Sequence, residues 1–251
     1  MMVLKRFFQS LFRSPSPIPS RSIPFETHTA YAIQVPPNGS PYQALAALRL
    51  PPYRGVIVLH GGAGGMDEVV VETVRHFLIQ GLASFAQQHP LLIFDGGTAS
   101  GAMAAMGEAR RAVNGTYPLV GVSPTGTISY PGGPAPDDNH YPLDSGHSHF
   151  ILVEGRDFGI ESDLLVSLLR AAGQPGLALI INGGEIVFKE VQRHIRLGNT
   201  VVTVKGSGRV ADDLADPASE RRAALPPQAH IEVADMNDPA GFTALLARLL
   251  R

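Results

Sequence analysis

The run Arg54-Gly55-Val56-Ile57-Val58-Leu59-His60-Gly61-Gly62-Ala63-Gly64-Gly65 decides the fold. Val56 to Leu59 is apolar at every position, as expected of a strand buried on both faces, and the glycines that follow at once mark a tight turn. Such strands belong to a parallel sheet sandwiched between helices. The pattern repeats along the chain. Leu91 to Phe94, Leu119 to Val122, Phe150 to Val153, Ala178 to Ile181, Val201 to Val204 and Ile231 to Val233 are short runs rich in β-branched and apolar residues, and an early strand around Ala30 to Val35 is expected at an edge. Between them lie helix-length segments: Asp67 to Gln88, Ala102 to Val113, Ser162 to Ala172, Ile186 to Leu197 and Phe242 to Leu250. Gly173 and Gly198 fall where a helix end favours a positive φ, and Asp67 and Glu68 place negative charge in a first turn. The fold class is α/β, a Rossmann-like open and mostly parallel sheet with helices on both faces.

Four strand ends run directly into Gly clusters: His60 to Gly65, Asp95 to Gly101, Asn182 to Glu185 and Lys205 to Arg209. In an open parallel sheet the carboxyl ends share one edge, and ligands sit in the crevice beyond it at the topological switch point. Glycine lets backbone amides approach phosphate oxygens, and the following helix N-termini add free N–H groups and a favourable dipole. Arg209 adds a fixed charge and a planar fork suited to phosphate. The expected ligand is anionic, held by Gly61, Gly62, Ala63, Gly96, Gly97, Thr98, Ser100, Gly101, Gly183, Gly184, Glu185, Ser207, Gly208 and Arg209.

Composition bounds the alternatives. The chain has 251 residues, 44% hydrophobic and 17% charged, with 27 Gly and 21 Pro, which suits one folded domain rich in turns. A net charge of -2 gives no basic face for nucleic acid. With no Cys there are no disulfides or thiolate metal sites, and no apolar run approaches the ~20 residues of a membrane span. A cytoplasmic location follows as the expectation.

Residues 1–25 read as a separate basic, amphipathic and flexible segment, with 26–251 as the single domain. Lys5, Arg6, Arg13 and Arg21 accompany Phe7, Phe8, Leu11 and Phe12, a composition suited to a frayed terminus, a membrane surface or an effector protein. Ser14 to Pro24 reads as a Pro/Ser linker. Tyr130 to Gly146 is too long and too rich in Gly, Pro, Asp and Asn for a plain connection, and reads as a flap beside the site. Ala211 to Gln228 reads as a solvated loop.

Motif order carries a resemblance. Gly96-Gly97-Thr98-x-x-Gly101-x-Met103-x-x-x-Gly107-Glu108, Gly121-Val122-Ser123-Pro124-x-Gly126-Thr127-Ile128, Leu143-Asp144-x-x-His147-Ser148-His149-Phe150 and Val204-Lys205-Gly206-Ser207-Gly208-Arg209-Val210-Ala211-Asp212 resemble the LSDAT branch of the SLOG superfamily, over about Arg54 to Leu214. That branch includes the cytosolic N-terminal region of melastatin-type TRP channels. The resemblance implies a module that senses a nucleotide-derived ligand such as ADP-ribose, needs no cofactor, and signals to an effector, with a homo-oligomer as a further possibility. It also implies that Thr98, the loop to Gly101 and Thr127 meet phosphate or ribose, that Arg209 holds phosphate, and that Phe158 stacks on the base. The sequence departs from the pattern at Leu165, where the channels that bind ADP-ribose carry an Arg.

Two enzyme readings stand beside this one. Asn182-Gly183-Gly184-Glu185-Ile186-Val187-Phe188-Lys189-Glu190 keeps the paired Gly and final Glu of the LOG phosphoribohydrolases, so nucleotide N-glycosidase activity with Glu190 catalytic is the alternative. Leu59-His60-Gly61-Gly62 and Gly146-His147-Ser148-His149-Phe150 resemble parts of an α/β-hydrolase site, but the elbow lacks its last Gly and Ser148 precedes a strand. His147 and His149 have no third convergent ligand, so they read as loop anchors with Asp144 as partner and not as a metal centre.

Overall fold

The computed structural model describes residues 18–62, 64–133, 137 and 139–251. Ala63 and the greater part of the amphipathic N-terminal segment, residues 1–17, lie outside the described residues.

Nine strands form one sheet: β1 (Ser20–Pro24), β2 (Thr29–Val35), β3 (Gly55–Gly61), β4 (Leu91–Asp95), β5 (Leu119–Pro124), β8 (His149–Val153), β9 (Gly176–Ile181), β10 (Thr200–Lys205) and β11 (Ile231–Asp235). The order is β1-β2-β8-β5-β4-β3-β9-β10-β11. Every neighbouring pair is parallel except β1 with β2. From β3 the chain builds outward through β4, β5 and β8, then returns to lay β9 against the other side of β3. The switch point, where a crevice opens beyond the carboxyl ends, therefore lies between β3 and β9. β6 (Ile128–Ser129) and β7 (Tyr141–Pro142) make a separate short ladder.

Strand alternation divides the core into two layers. Ile57, Leu59, Ile93, Leu179, Ile181, Val202 and Val204 pack beneath the helices Glu68–Phe77, Gly101–Ala112 and Pro239–Leu249. On the other face Val56, Val58, Leu92 and Phe94 meet Leu164, Leu165 and Leu168 of the helix Ser162–Ala171. Ala178, Ile180 and Val201 meet Val187 and Val191 of the helix Glu185–Arg196. His60 follows the parity of Val56 and Val58, so its ring enters the second layer.

Four details differ from the sequence reading. Ser20–Pro24, assigned to a linker, is an antiparallel edge strand with Ile23 fully buried, and an edge tolerates the flanking prolines because an outward position needs no donor. The strand at Thr29–Val35 is consequently not the edge: β1 pairs on one side of it and β8 on the other. The Asp67 to Gln88 helix is broken by a π-helical segment at Leu78–Ala83, where Ser84 Oγ donates five residues back to Ile79 O at 2.7 Å. Ala211 to Gln228 is not a bare loop. Helices Arg209–Ala215 and Glu220–Ala223 occupy part of it, the first burying Val210, Ala211 and Leu214 on one face. Gly173 and Gly198 take φ of 67° and 71° at helix ends, as expected.

Candidate functional site

A cleft of about 340 Å³ opens at the switch point, within the size range of small-molecule sites. It is walled by the ends of β3 and β4, the turn after β9, and Tyr141, Phe158 and Arg209.

Helix capping separates the cleft from the rest of the carboxyl edge. Glu68–Phe77 and Pro239–Leu249 begin at that edge, are capped by Asp67 and Asp238, and contribute no residue to the cleft. Gly101–Ala112, Ser162–Ala171, Glu185–Arg196 and Arg209–Ala215 do contribute residues, and none has a side-chain cap. Backbone carbonyls nevertheless take some of these first-turn amides: Ala102 N donates to Gly62 O, Ser162 N to Gly159 O, Val210 N to Gly183 O and Ala211 N to Asn182 O, whereas Glu185–Arg196 keeps its first-turn donors open to another acceptor, where the helix dipole favours an anion.

Arg209 lies between two Gly turns. Its Nη1 donates to Gly64 O at 3.2 Å, and the guanidinium packs against the bare backbone of Gly184, where a Cβ would stand 2.6 Å from Nη2 and displace it. Arg209 and Asn182 have φ of 52° and 57°, a left-handed conformation that is uphill for a residue with a Cβ. Asn182 is held there by hydrogen bonds. Its backbone N donates to Ser207 Oγ at 2.8 Å, its Nδ2 to Ser207 O at 2.8 Å, and its Oδ1 accepts from Gly183 N at 2.8 Å. The turns after β9 and β10 are thus locked together, and the lock fixes the position of Arg209.

The deep end of the cleft is acidic and connected. Glu190 is 4% exposed and accepts from His60 Nδ1 at 2.8 Å and from Ser162 Oγ at 2.5 Å. Asn199 Nδ2 donates to His194 Nδ1 at 2.9 Å, which leaves the His194 proton on Nε2, facing His60 Nε2 at 2.8 Å. The donor order therefore runs from Asn199 through both rings to Glu190. Burial opposes ionisation of Glu190, but His60, Ser162 and Arg193 together hold its pKa below the ordinary value. Burial, then His60, depresses His194 well below the usual imidazole range. Glu161 behaves oppositely. Burial raises it to about 7, the amides of Glu161 and Gly159 work against that shift, and Glu190 adds to it. At the mouth, Tyr141 and Phe158 are both partly exposed and meet edge to face, with ring centroids 5.5 Å apart.

A second buried cluster lies behind β4. His147 Nε2 is 2.7 Å from Asp95 Oδ1 and Nδ1 is 3.1 Å from Asp144 Oδ1, confirming Asp144 as its partner and adding Asp95. Asp95 Oδ1 also accepts from Gly97 N at 2.7 Å, tying the cluster to the Gly turn of β4. Burial alone would lower the His147 pKa, but the two carboxylates outweigh it and raise it to about 9. His149 is not part of the cluster: its Nδ1 pairs with Ser148 Oγ at 2.9 Å, and burial, then Arg110, lowers it to about 4.

Of the residues singled out in the sequence, Gly61, Gly62, Gly96, Thr98, Phe158, Gly184, Glu185, Arg209 and also Glu190 line the cleft. Gly97, Ser100, Gly101, Thr127, Gly183, Ser207 and Gly208 stand outside its lining. Thr127 Oγ1 donates to Pro124 O at 3.2 Å, and Ser207 Oγ to Val204 O at 2.7 Å, so both hydroxyls serve the backbone. Leu165, where the sequence departs from the channel pattern, lines the cleft. Tyr141 and Glu161, and the ring of His60, were not singled out. Tyr141 alone had a signal, its place in the unusually long loop.

Residues 54–243 match the family described as SLOG in TRPM, prokaryote. Among curated relatives, the transient receptor potential cation channel subfamily M member 2 of Mus musculus is 30% identical over 201 residues, and that of Rattus norvegicus is 29% identical over 201 residues. Each match covers 65% of this chain and 13% of the relative, so the chain corresponds to a small part of those channels.

Proposed function

Since this chain belongs to the prokaryotic family of SLOG domains related to those of TRPM channels, we propose that it is a nucleotide-sensing module whose cleft binds ADP-ribose or a related nucleotide. The observation that carries the reading is Arg209 between the Gly64 and Gly184 turns, beside the uncapped first turn of the helix Glu185–Arg196 that lines the same cleft. Arg209 is the one Lys or Arg among the described lining residues, which supports placing the phosphate at that end of the cleft. The exposed faces of Phe158 and Tyr141 suit a base at the mouth. Binding suffices for a sensor. Glu190 favours this reading over N-glycosidic cleavage, because both of its oxygens already accept hydrogen bonds from His60 and Ser162. Among the described residues no helix is long and apolar enough to cross a membrane. The effector that reads the bound state is proposed to be a separate protein or a membrane surface met by the N-terminal segment. Calorimetric titration of ADP-ribose into the wild type and Arg209→Ala tests the phosphate assignment. Equal affinity for the two proteins would remove Arg209 from the site.

A further inference from the structure

The phosphate end leaves one polar group of the cleft without a role. Glu161 closes the loop that begins at Phe158 and directly precedes the helix Ser162–Ala171, yet its side chain does not cap that helix. Its Oε2 accepts from Gly159 N at 2.8 Å, and the residue is 8% exposed in the cleft wall. Nearby donors are committed elsewhere. Ser162 Oγ and His60 Nδ1 serve Glu190, and Arg209 Nη1 is anchored at Gly64. Among the described residues the hydrogen-bond partners of the Glu161 carboxyl are backbone amides alone. A buried carboxyl that faces a cleft with spare hydrogen-bonding capacity is a recognition element in search of a ligand edge.

We propose that Glu161 reads the base of the bound nucleotide, meeting an amidine edge, in which a ring-nitrogen acceptor adjoins an exocyclic amine as in adenine, with one O–H donor and one acceptor oxygen. The inference rests on the nucleotide reading of the cleft and adds which part of the ligand is selected. Phe158 and Glu161 stand three residues apart in one loop and line one cleft, which offers an aromatic face and a carboxyl to the same ligand. The carboxyl has the protonation this pairing needs. Burial keeps it near 7, so close to neutrality it supplies both a donor and an acceptor. An ionised carboxylate would instead set a lone pair against the ring nitrogen.

The elements packed around Glu161 present a defined set of titratable groups. They are His60 at the end of β3, Tyr141 at the mouth, Glu185, Glu190, Arg193 and His194 on the facing helix, Asp163 on the helix that follows Glu161, and Arg209 across the cleft. Glu185 lies 3.4 Å from Arg221, Asp163 2.9 Å from Arg193, and Glu190 is hydrogen-bonded to His60. Glu190 is the charge that acts on Glu161, and it favours the protonated form.

The test compares AMP with purine riboside 5′-monophosphate, which keeps the ring nitrogen and lacks the amine, by calorimetric titration of the full chain. The wild type is expected to bind AMP about tenfold more tightly, the discrimination of one good base-edge pair. Glu161→Ala should reduce that ratio to near one. AMP affinity of the wild type should fall as pH rises through about 7, whereas Glu161→Gln, which retains a donor and an acceptor, should keep the preference and lose the pH dependence. Thermal melts establish that both variants are folded. If the two ligands bind the wild type equally, or Glu161→Ala keeps the preference, the base assignment is overturned while the nucleotide reading stands. If neither these ligands nor ADP-ribose binds the wild type, the nucleotide reading itself fails and takes the assignment with it.

Discussion

Replacing His147 by Gln should remove a pH-dependent component of stability that is confined to one window. In the folded protein the imidazole lies between Asp95 and Asp144, which raise its pKa from 6.5 to about 9 against the opposing effect of burial. The folded state therefore binds this proton more tightly than the unfolded chain. Below the unfolded value both states carry the proton and the stabilisation is complete. As pH rises from there toward the folded value the unfolded chain releases its proton first, and stability falls by about 1.4 kcal/mol per pH unit. Above about 9 the contribution is gone, a total of about 3 kcal/mol. Neither Glu161 nor His149 mimics this. Glu161, raised to about 7, destabilises the fold as pH climbs from its unfolded value to 7, and it does so equally in wild type and variant. His149, lowered to about 4, acts below the window. Urea unfolding of wild type and His147→Gln at about pH 6 and about pH 9.5 reads the effect. The variant should be less stable at the lower pH, because two buried carboxylates lose their cation, and the gap should narrow by about 3 kcal/mol at the higher pH. A gap that stays constant across the window would show that His147 is not charged in the fold.

Arg209→Ala should weaken nucleotide binding by about 1.5 to 3 kcal/mol, the range for a hydrogen bond to a charged group, while leaving the melting temperature nearly unchanged because the side chain is exposed. Glu190→Ala leaves the His60 Nδ1–H and Ser162 Oγ–H buried without an acceptor, and chemical denaturation should show a loss of about 2 to 6 kcal/mol. Tyr141→Ala should reduce the affinity of base-bearing ligands by about 1 to 3 kcal/mol and leave that of ribose 5-phosphate unchanged, a contrast that direct titration resolves. Phe242, 1% exposed and stacked on Phe77 at 4.6 Å, fills the layer beneath the last helix, so Phe242→Ala should cost about 3 to 5 kcal/mol in the same unfolding assay.

Those features of the fold that depend on short-range pattern could be read from the sequence. Val56 to Leu59, Leu91 to Phe94, Leu119 to Val122 and Ala178 to Ile181 formed central strands because a run apolar on both faces has nowhere else to go, and the Gly turns fell at one edge because parallel strands point the same way. β1 was missed because the prolines beside Ser20–Pro24 look like linker, and only pairing with β2 makes the segment a strand. The π segment depends on bonds one residue longer than the helical repeat, which periodicity does not report. In the cleft, glycines and Arg209 were legible through their turns. The acidic end was not, because Glu161 ends a loop while Glu190 sits in the helix Glu185–Arg196 and meets Ser162 only across the packed structure, and His60 reaches Glu190 only after β3 and that helix pack. Ser207 and Thr127 looked like ligand hydroxyls, yet each bonds a backbone carbonyl close by in its own turn, which a residue type alone does not reveal.

The most direct test of the sensor account is native mass spectrometry of the purified chain incubated with ADP-ribose, NAD, cyclic ADP-ribose and nucleoside monophosphates, scoring ligand adducts and released base together. The account expects a stable adduct with at least one of these nucleotides, no release of base, and loss of the adduct in Arg209→Ala. Release of base would move the cleft to N-glycosidase chemistry, and no adduct with any of the compounds would contradict the nucleotide reading.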